Sequence, residues 1–193
     1  MGKKPKVNYQ LDTYGVKDLP NEEISAILRA ADELIATGGR SMLTKILKGS
    51  KDKKLLEYEL DKCPGYGLYS HLSLSEITKR VDWMIKNGYL EITYSGRLPV
   101  IVFSRAGWEI EKETYTEELL QKLKDLVPAK DYSFVARLKD RNRGMILLLI
   151  KKIKNTNNPE FIPLLRAWQR IDYKKVKIEL QKAIDILENK NSL

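Results

Sequence analysis

The spacing of apolar residues along the first fifth of the chain predicts an amphipathic helix. Between residues 21 and 39 the apolar positions recur with the helical period of 3.6, at Ile24, Ile27, Leu28, Ala31, Leu34 and Ile35. Asn21 is the expected N-cap, and Gly38-Gly39 is the expected end of the helix. Residues 1–20 show no such pattern and are predicted to be a loose basic arm.

Two shorter helices are predicted on either side of a Gly49-Ser50 turn. The first covers residues 41–47 and ends at Gly49. Ser50 is the expected cap of the second, which covers residues 51–61. Its buried side is expected to consist of Leu55, Leu56 and Leu60.

A fourth predicted helix runs directly into a pair of strands. Ser73 caps this helix, which covers residues 74–86 and ends at Asn87-Gly88. Strand-like alternation follows in YLEITY and RLPVIVFS, with Gly96 in the turn and with Pro99 restricting its strand to an edge. Helices followed by a hairpin are typical of a winged helix, in which the hairpin is the wing and the preceding helix takes the recognition position.

The remainder of the chain is predicted to be helical. A helix leaves the winged-helix region, and three further amphipathic segments follow Pro128. The predicted fold is mainly α with a small β hairpin, a winged helix followed by an all-α domain. The predicted boundaries are an arm over residues 1–20, a winged helix over 21–127 and a helical domain over 128–193.

Charge and composition limit the classes of function that the protein can have. A formal net charge of +9 favours an acidic partner, nucleic acid before an anionic membrane, and the longest aliphatic run, MILLLI, is too short to span a bilayer. One cysteine, Cys63, one histidine, His71, and no phosphate-binding loop argue against an enzyme, a metal site or a cofactor. With no secretory signal either, a cytoplasmic location is expected, at the nucleoid in a bacterium.

The Gly49-Ser50 turn is the first candidate site. Six basic residues and one acid, Asp52, lie between positions 40 and 54: Arg40, Lys45, Lys48, Lys51, Lys53 and Lys54. Unpaired N–H groups at a helix start can hold an anion, Gly49 would let a phosphate approach the backbone, and Ser50 would add a hydroxyl donor. The turn is therefore predicted to hold a backbone phosphate; the alternative is an ordinary solvated basic face.

The helix in the recognition position is a weaker candidate. Lys79, Trp83, Lys86 and Glu76 are predicted opposite its apolar face, with Asp82 near the edge. Two acids on or near the outer surface argue against deep insertion into a major groove. An outward Trp83 is expected to pack against the C-terminal domain, or alternatively to stack on a base.

The wing tip and a second basic cluster complete the candidates. At the tip, Tyr94 and Arg97 could stack on a terminal base pair and hold a phosphate, or Tyr94 could simply cover the hairpin. The second cluster could extend a DNA track or be a solvated face: Arg137, Lys139, Arg141, Arg143, Lys151, Lys152 and Lys154. The predicted DNA-contacting residues are Arg40, Lys48, Gly49, Ser50, Lys51, Lys54, Lys79, Trp83, Lys86, Tyr94 and Arg97.

Residues 21–120 resemble the RQC winged-helix domain of RecQ-family DNA helicases. The likeness rests on the basic Gly-Ser turn, the LS cap at Leu72-Ser73, GYL at 88–90 and the S-x-x-G strand exit at Ser104 and Gly107. It implies that the turn contacts duplex phosphates and that the hairpin apex meets the duplex end. The helicase motor and its zinc module are missing, and the opening methionine is typical of a complete small protein. The C-terminal segments resemble a HEAT-type helix pair.

These observations predict a non-enzymatic, structure-selective DNA-binding protein. The expected ligands are duplex, forked or end structures, in DNA repair, replication or recombination, and the C-terminal helices are a candidate surface for a helicase or another protein partner. Two alternatives stay open. The protein could be a sequence-specific winged-helix regulator, which would read bases through residues 73–87, or a protein-interaction module whose DNA affinity is incidental to its charge.

Overall fold

The computed structural model describes residues 10–189, and these form two compact units that divide between Glu111 and Lys112. The helices and strands of the first unit are α1 (Asn21–Ala31), α2 (Arg40–Lys48), α3 (Lys53–Glu57), α4 (Leu74–Lys86), β1 (Leu90–Ser95), β2 (Leu98–Phe103) and the start of α5 (Arg105–Ala129). Short 3₁₀ turns follow α1 and α3. The predicted fold class, mainly α with a small hairpin, is confirmed.

The core of the first unit forms from the apolar faces that periodicity predicts. Ile24, Ile27 and Leu28 of α1 are buried in one apolar cluster with residues of α2 and α4. The α-helix nevertheless ends at Ala31 and continues as a 3₁₀ turn through Leu34, and its N-cap is Pro20 rather than Asn21.

The third helix is much shorter than predicted. α3 spans five residues, and a separate 3₁₀ turn, Leu60–Lys62, replaces the second half of the expected helix. Glu59 lies between them in the left-handed region at φ 54°, which breaks the helical path. Leu55 and Leu60 are buried as expected, but Leu56 is 43% exposed, so the prediction that it is buried was wrong.

The hairpin turns at Gly96 as predicted, and its second strand is hydrogen-bonded on both sides. Ser95 pairs with Leu98, so Gly96 and Arg97 form a two-residue turn. β2 also bonds a short edge segment: the Ala36 amide donates to the Ile101 carbonyl, and the Ile101 amide donates to Gly38, each at 2.9 Å. The wing is thereby joined to the chain that precedes α2.

The strand exit explains the S-x-x-G pattern. The Ser104 hydroxyl accepts a hydrogen bond of 2.9 Å from the Gly107 amide, which caps the start of α5. A Cβ at position 107 would lie 1.9 Å from the Tyr89 carbonyl oxygen, so only glycine fits there. This close approach fixes α5 against the end of α4.

The predicted loose arm is wrong where the structure describes it. Residues 1–9 lie outside the described range, but residues 10–20 pack on the first unit. Leu19 is buried, Val16 packs against the core, and the Asp12 amide donates to the Asp82 carboxylate at 2.9 Å. These contacts depend on residues about 70 positions away and leave no local periodic signal.

The second unit, residues 112–189, consists of helices joined by short turns. It contains the rest of α5, α6 (Arg143–Asn155), α7 (Ile162–Ile171), α8 (Lys174–Asn189) and the 3₁₀ turns Ser133–Leu138 and Pro159–Phe161. α6 and α7 both pack against α8, and Trp168 is fully buried with its Nε1 donating to Asp172 at 2.7 Å. The division between the two units lies inside α5, and within the second unit Lys152 of α6 binds Glu117 of α5. The domain boundary predicted at residue 127 stays a prediction. The HEAT-like character stays a prediction.

Candidate nucleic-acid interface

Gly49 ends α2 in the left-handed conformation. Its φ is 73°, and its amide and that of Ser50 donate to the Ile46 and Lys45 carbonyls. A Cβ at this position would lie 3.1 Å from the Gly67 Cα, because the loop over residues 63–72 crosses there. The predicted use of Gly49 for close approach of a phosphate is therefore corrected: the space beside it holds protein backbone.

The cap of α3 is Asp52 and not Ser50 as predicted. The Asp52 carboxylate accepts from the Lys54 amide at 3.1 Å and from the Lys45 ammonium at 2.7 Å. The bond from Lys45 lowers the pKa of Asp52. Ser50 lies before the cap, where its Oγ accepts from the Asp52 amide at 3.2 Å. An acidic side chain of the protein thus occupies the helix start that was expected to hold an anion.

The cations around this turn differ in availability. Lys48 was predicted to attract phosphate, but its ammonium donates to the Ser70 and Leu72 carbonyls at 2.6 and 2.7 Å. Lys51 and Lys54 are exposed, and their ammonium groups form no ion pair among the described residues. These two lysines are the part of the predicted seat that remains open to a ligand.

On α4, Asp82 is buried and holds Arg40. Asp82 is 1% exposed, and the Arg40 guanidinium donates to both of its carboxylate oxygens, at 2.7 and 2.9 Å. The expectation that Asp82 lies near the outer surface was therefore wrong. Arg40, a predicted DNA contact, serves instead as the partner of a buried carboxylate.

Trp83 and Lys79 are covered by the N-terminal segment. Trp83 is 6% exposed, stacks on Tyr89 and donates from Nε1 to the Lys17 carbonyl at 3.3 Å, so its predicted outward position was wrong. Lys79 lies 3.7 Å from the Asp12 carboxylate and over the Tyr14 ring. The outer face of the recognition-position helix is thus largely occupied by residues 12–19.

The two ends of α4 remain outside this cover. Ser73 and Glu76 form the predicted start as a reciprocal capping box, and the bonds from Ser73 lower the pKa of Glu76. At the other end Lys86 is exposed and has no ion-pair partner within residues 10–189. Lys86 is the predicted α4 contact that the structure leaves available.

The wing tip carries an apolar residue that the sequence reasoning missed. Leu98 is 69% exposed beside Arg97, which is also exposed. Tyr94 is half-buried one pair further from the turn, opposite Pro99. The sequence does contain a signal for this exposed leucine, because Leu98 lies between the Gly-Arg turn and a proline. A leucine at the tip of a hairpin is too far from the core to be buried in it.

A groove of about 520 Å³ brings the wing and α3 together. Its lining includes Lys54 of α3, Tyr58 directly after α3, Leu98 and Pro99 of the wing, and the exposed side chain of Glu33. Tyr58 is 65% exposed. The structure therefore unites one predicted turn lysine with the wing, together with an exposed ring and an exposed leucine.

The second basic cluster is partly structural. Lys152 binds Glu113 and Glu117, the Arg141 guanidinium lies 4.8 Å from the Tyr115 ring centroid, and Lys139 lies over Tyr173. Lys151 and Lys154 border a separate groove of the second unit. No helix within residues 10–189 is long and apolar enough to cross a membrane.

Comparison with known proteins shows the family to which this sequence belongs. The sequence profile of the RQC domain matches residues 16–124. A stretch of 104 residues, 52% of this chain, is 28% identical to the ATP-dependent DNA helicase RecQ of Bacillus subtilis (strain 168), and it spans 17% of that protein. No solved structure matches the chain. Because the profile covers more than half of the chain and includes the turn, α4 and the wing, the chain belongs to the RQC domain family.

Proposed function

We propose that this protein is a non-enzymatic, structure-selective DNA-binding protein that grips backbone phosphates at a duplex end or fork. The observation that carries the proposal is the groove that Lys54 and the exposed Leu98 of the wing both line. A cation beside an exposed apolar tip suits a duplex end, where phosphates meet an uncovered base pair. Membership of the RQC family supports nucleic acid as the ligand.

The phosphate contacts are assigned to exposed cations that form no ion pair within residues 10–189. Lys51 and Lys54 contact phosphates at the turn, Arg97 does so at the wing, and Lys86 does so at the end of α4. Contacts of this kind give affinity without sequence discrimination. Residues 12–19 cover the middle of α4, which favours this mode over a sequence-specific regulator that reads the major groove.

The absence of catalysis is part of the proposal. Burial, with a further contribution from Glu33, raises the pKa of the Cys63 thiol to about 11, so the thiolate nucleophile is scarce at neutral pH. The related RecQ protein is a helicase, and this chain spans 17% of it. We place the protein in DNA repair, replication or recombination, in the cytoplasm or at a bacterial nucleoid, beside a separate helicase.

Fluorescence anisotropy on matched labelled ligands tests the proposal. The ligands are two unrelated duplexes, a forked duplex, single-stranded DNA and duplex RNA, each titrated at several salt concentrations. The expected result is equal affinity for the two duplexes, tighter binding of the fork and a steep salt dependence. A preference of about 10³-fold for one duplex sequence would indicate a sequence-specific regulator. Equal, weak binding of every polyanion would favour a protein-interaction module.

The Ser50→Ala, Lys51→Ala variant examines the turn in the same assay. The variant should weaken binding to all sequences alike and reduce the slope of log affinity against log salt by about 1, because one phosphate contact is lost. The matched control is Lys62→Ala, which removes an exposed lysine already paired with Glu59. An unchanged slope in the first variant would remove the turn from the interface.

A further inference from the structure

The second unit contains a groove outside the matched RQC region. It lies between α6 and α8 and has a volume of about 530 Å³. Its lining residues on each helix recur at steps of three and four, so they form two facing stripes over about three helical turns, or about 16 Å.

The groove is lined by aliphatic side chains that are partly exposed to solvent. Leu147 of α6 is 37% exposed, and Ile178 and Ile186 of α8 are 48% and 38% exposed. These side chains stand at helical spacing on surfaces that a folded protein ordinarily makes polar. No aromatic ring is among the lining residues, so the floor offers no platform on which bases could stack.

The rims of the groove are cationic. Arg143, Lys151 and Lys154 stand on α6, and Lys175 stands on α8; none of the four forms an ion pair within residues 10–189. The acid that lines the groove, Glu179, is already paired with Lys182 at 2.7 Å. An apolar strip between unpaired cations therefore calls for an occupant with apolar residues on one face and carboxylates on its edges.

We propose that this groove binds an acidic amphipathic helix of a partner protein. About three turns of such a helix would place apolar residues at i, i+4 and i+7 on the aliphatic floor. Its flanking Asp or Glu residues would meet the four cations, which supplies orientation and faster association. DNA would satisfy the cations but would leave Leu147, Ile178 and Ile186 against a polar backbone.

The test uses the full chain and a labelled synthetic peptide of about 14 residues. The peptide carries Leu at i, i+4, i+7 and i+11 and Glu or Asp at the flanking positions; a second peptide has the same composition in scrambled order. Fluorescence anisotropy should show binding of the patterned peptide at least about tenfold tighter than of the scrambled one. Hydrogen exchange should slow in α6 and α8 when the patterned peptide is bound.

Two pairs of variants locate the site. Ile178→Ser should weaken binding of the patterned peptide by about tenfold, whereas Ile171→Ser, a similarly exposed isoleucine outside the groove, should leave it unchanged. The double variant Lys151→Gln, Lys175→Gln should lose affinity and salt dependence. Its control, Lys124→Gln with Arg137→Gln, removes equal charge from exposed positions that do not line the groove.

Three outcomes would overturn the proposal. Equal affinity for the two peptides would mean that net charge alone is recognised, and loss of binding in both isoleucine variants would place the peptide elsewhere. Loss of duplex affinity in the Lys151, Lys175 variant with no effect of Ile178→Ser would make the groove a phosphate track. Affinity for forked DNA should be measured in the same variants. The proposed function assigns the DNA contacts to the first unit, so it predicts that these variants bind forked DNA unchanged.

Discussion

The α2–α3 turn with the wing and the outer face of α4 are two basic surfaces of one small unit, and they differ in what their cations already touch. On α4, Lys79 lies beside Asp12 and Tyr14, and Asp82 holds Arg40 of α2. At the turn and wing, Lys51, Lys54 and Arg97 are exposed and have no ion-pair partner among the described residues. The cations of the two surfaces therefore differ in how far they are available to a ligand.

The difference shows how a basic chain divides its cations between stability and binding. If a cation paired to a buried carboxylate binds a phosphate instead, the carboxylate is left unpaired. Such an unpaired buried charge lowers the stability of the protein by several kcal/mol. An exposed lysine exchanges only water and counterions when it meets DNA. The count of 35 lysines and arginines therefore overstates the number of cations with which this protein can bind a ligand.

The largest effect is expected where the α4 surface is structural. Asp82→Ala should lower the free energy of unfolding by about 3 kcal/mol, because it removes the buried carboxylate that accepts from both the Arg40 guanidinium and the Asp12 amide. Urea unfolding measures this change. Glu57→Ala, which breaks an exposed pair with Lys53, should cost about 0.5 kcal/mol or less. Similar losses in both variants would show that burial does not separate the two kinds of pair.

The next effect concerns the open cations. Lys51→Ala with Lys54→Ala should weaken duplex binding by about tenfold at low salt and reduce the salt slope by about 2, since two phosphate contacts are lost. Stability should change by less than about 0.5 kcal/mol because both side chains are exposed. Anisotropy titrations provide the slope. If Lys79→Ala lowered the salt slope as much, the outer face of α4 would also be available to DNA.

The wing gives a smaller and more selective effect. Leu98→Ser should weaken binding to a forked duplex by about fivefold, because the exposed leucine covers the terminal base pair, and should leave internal duplex unaffected. The same loss on both ligands would exclude Leu98 from end recognition. The control is Leu74→Ser, because Leu74 is an exposed leucine on α4 and not on the wing.

The smallest effect should come from partly releasing the occupied surface. Asp12→Asn removes the carboxylate beside Lys79 and should raise duplex affinity by about twofold at low salt through the added charge alone. Titration against two unrelated duplexes distinguishes this gain from base reading. A large gain on one sequence would mean that α4 reads bases once it is uncovered.

Local signals predicted the fold well, and long-range contacts account for most of the errors. The Ser73 cap, the α1 face and the Gly96 turn depend on neighbours within a few residues, so the sequence was sufficient for each. Trp83 was misplaced because its cover comes from Lys17, 66 positions away. At the turn, Ser50 and Asp52 are both good caps, and only the path of the chain between α2 and α3 decides between them.

The loop over residues 63–72 makes the turn a rigid receptor. Its backbone lies against Gly49, it accepts two bonds from Lys48, and the Tyr66 hydroxyl donates to the Ser50 carbonyl at 3.1 Å. The conformational entropy of the α2–α3 turn is therefore already lost in the free protein. Binding a duplex should require little further ordering there, so association should be fast, with little backbone rearrangement on the first unit.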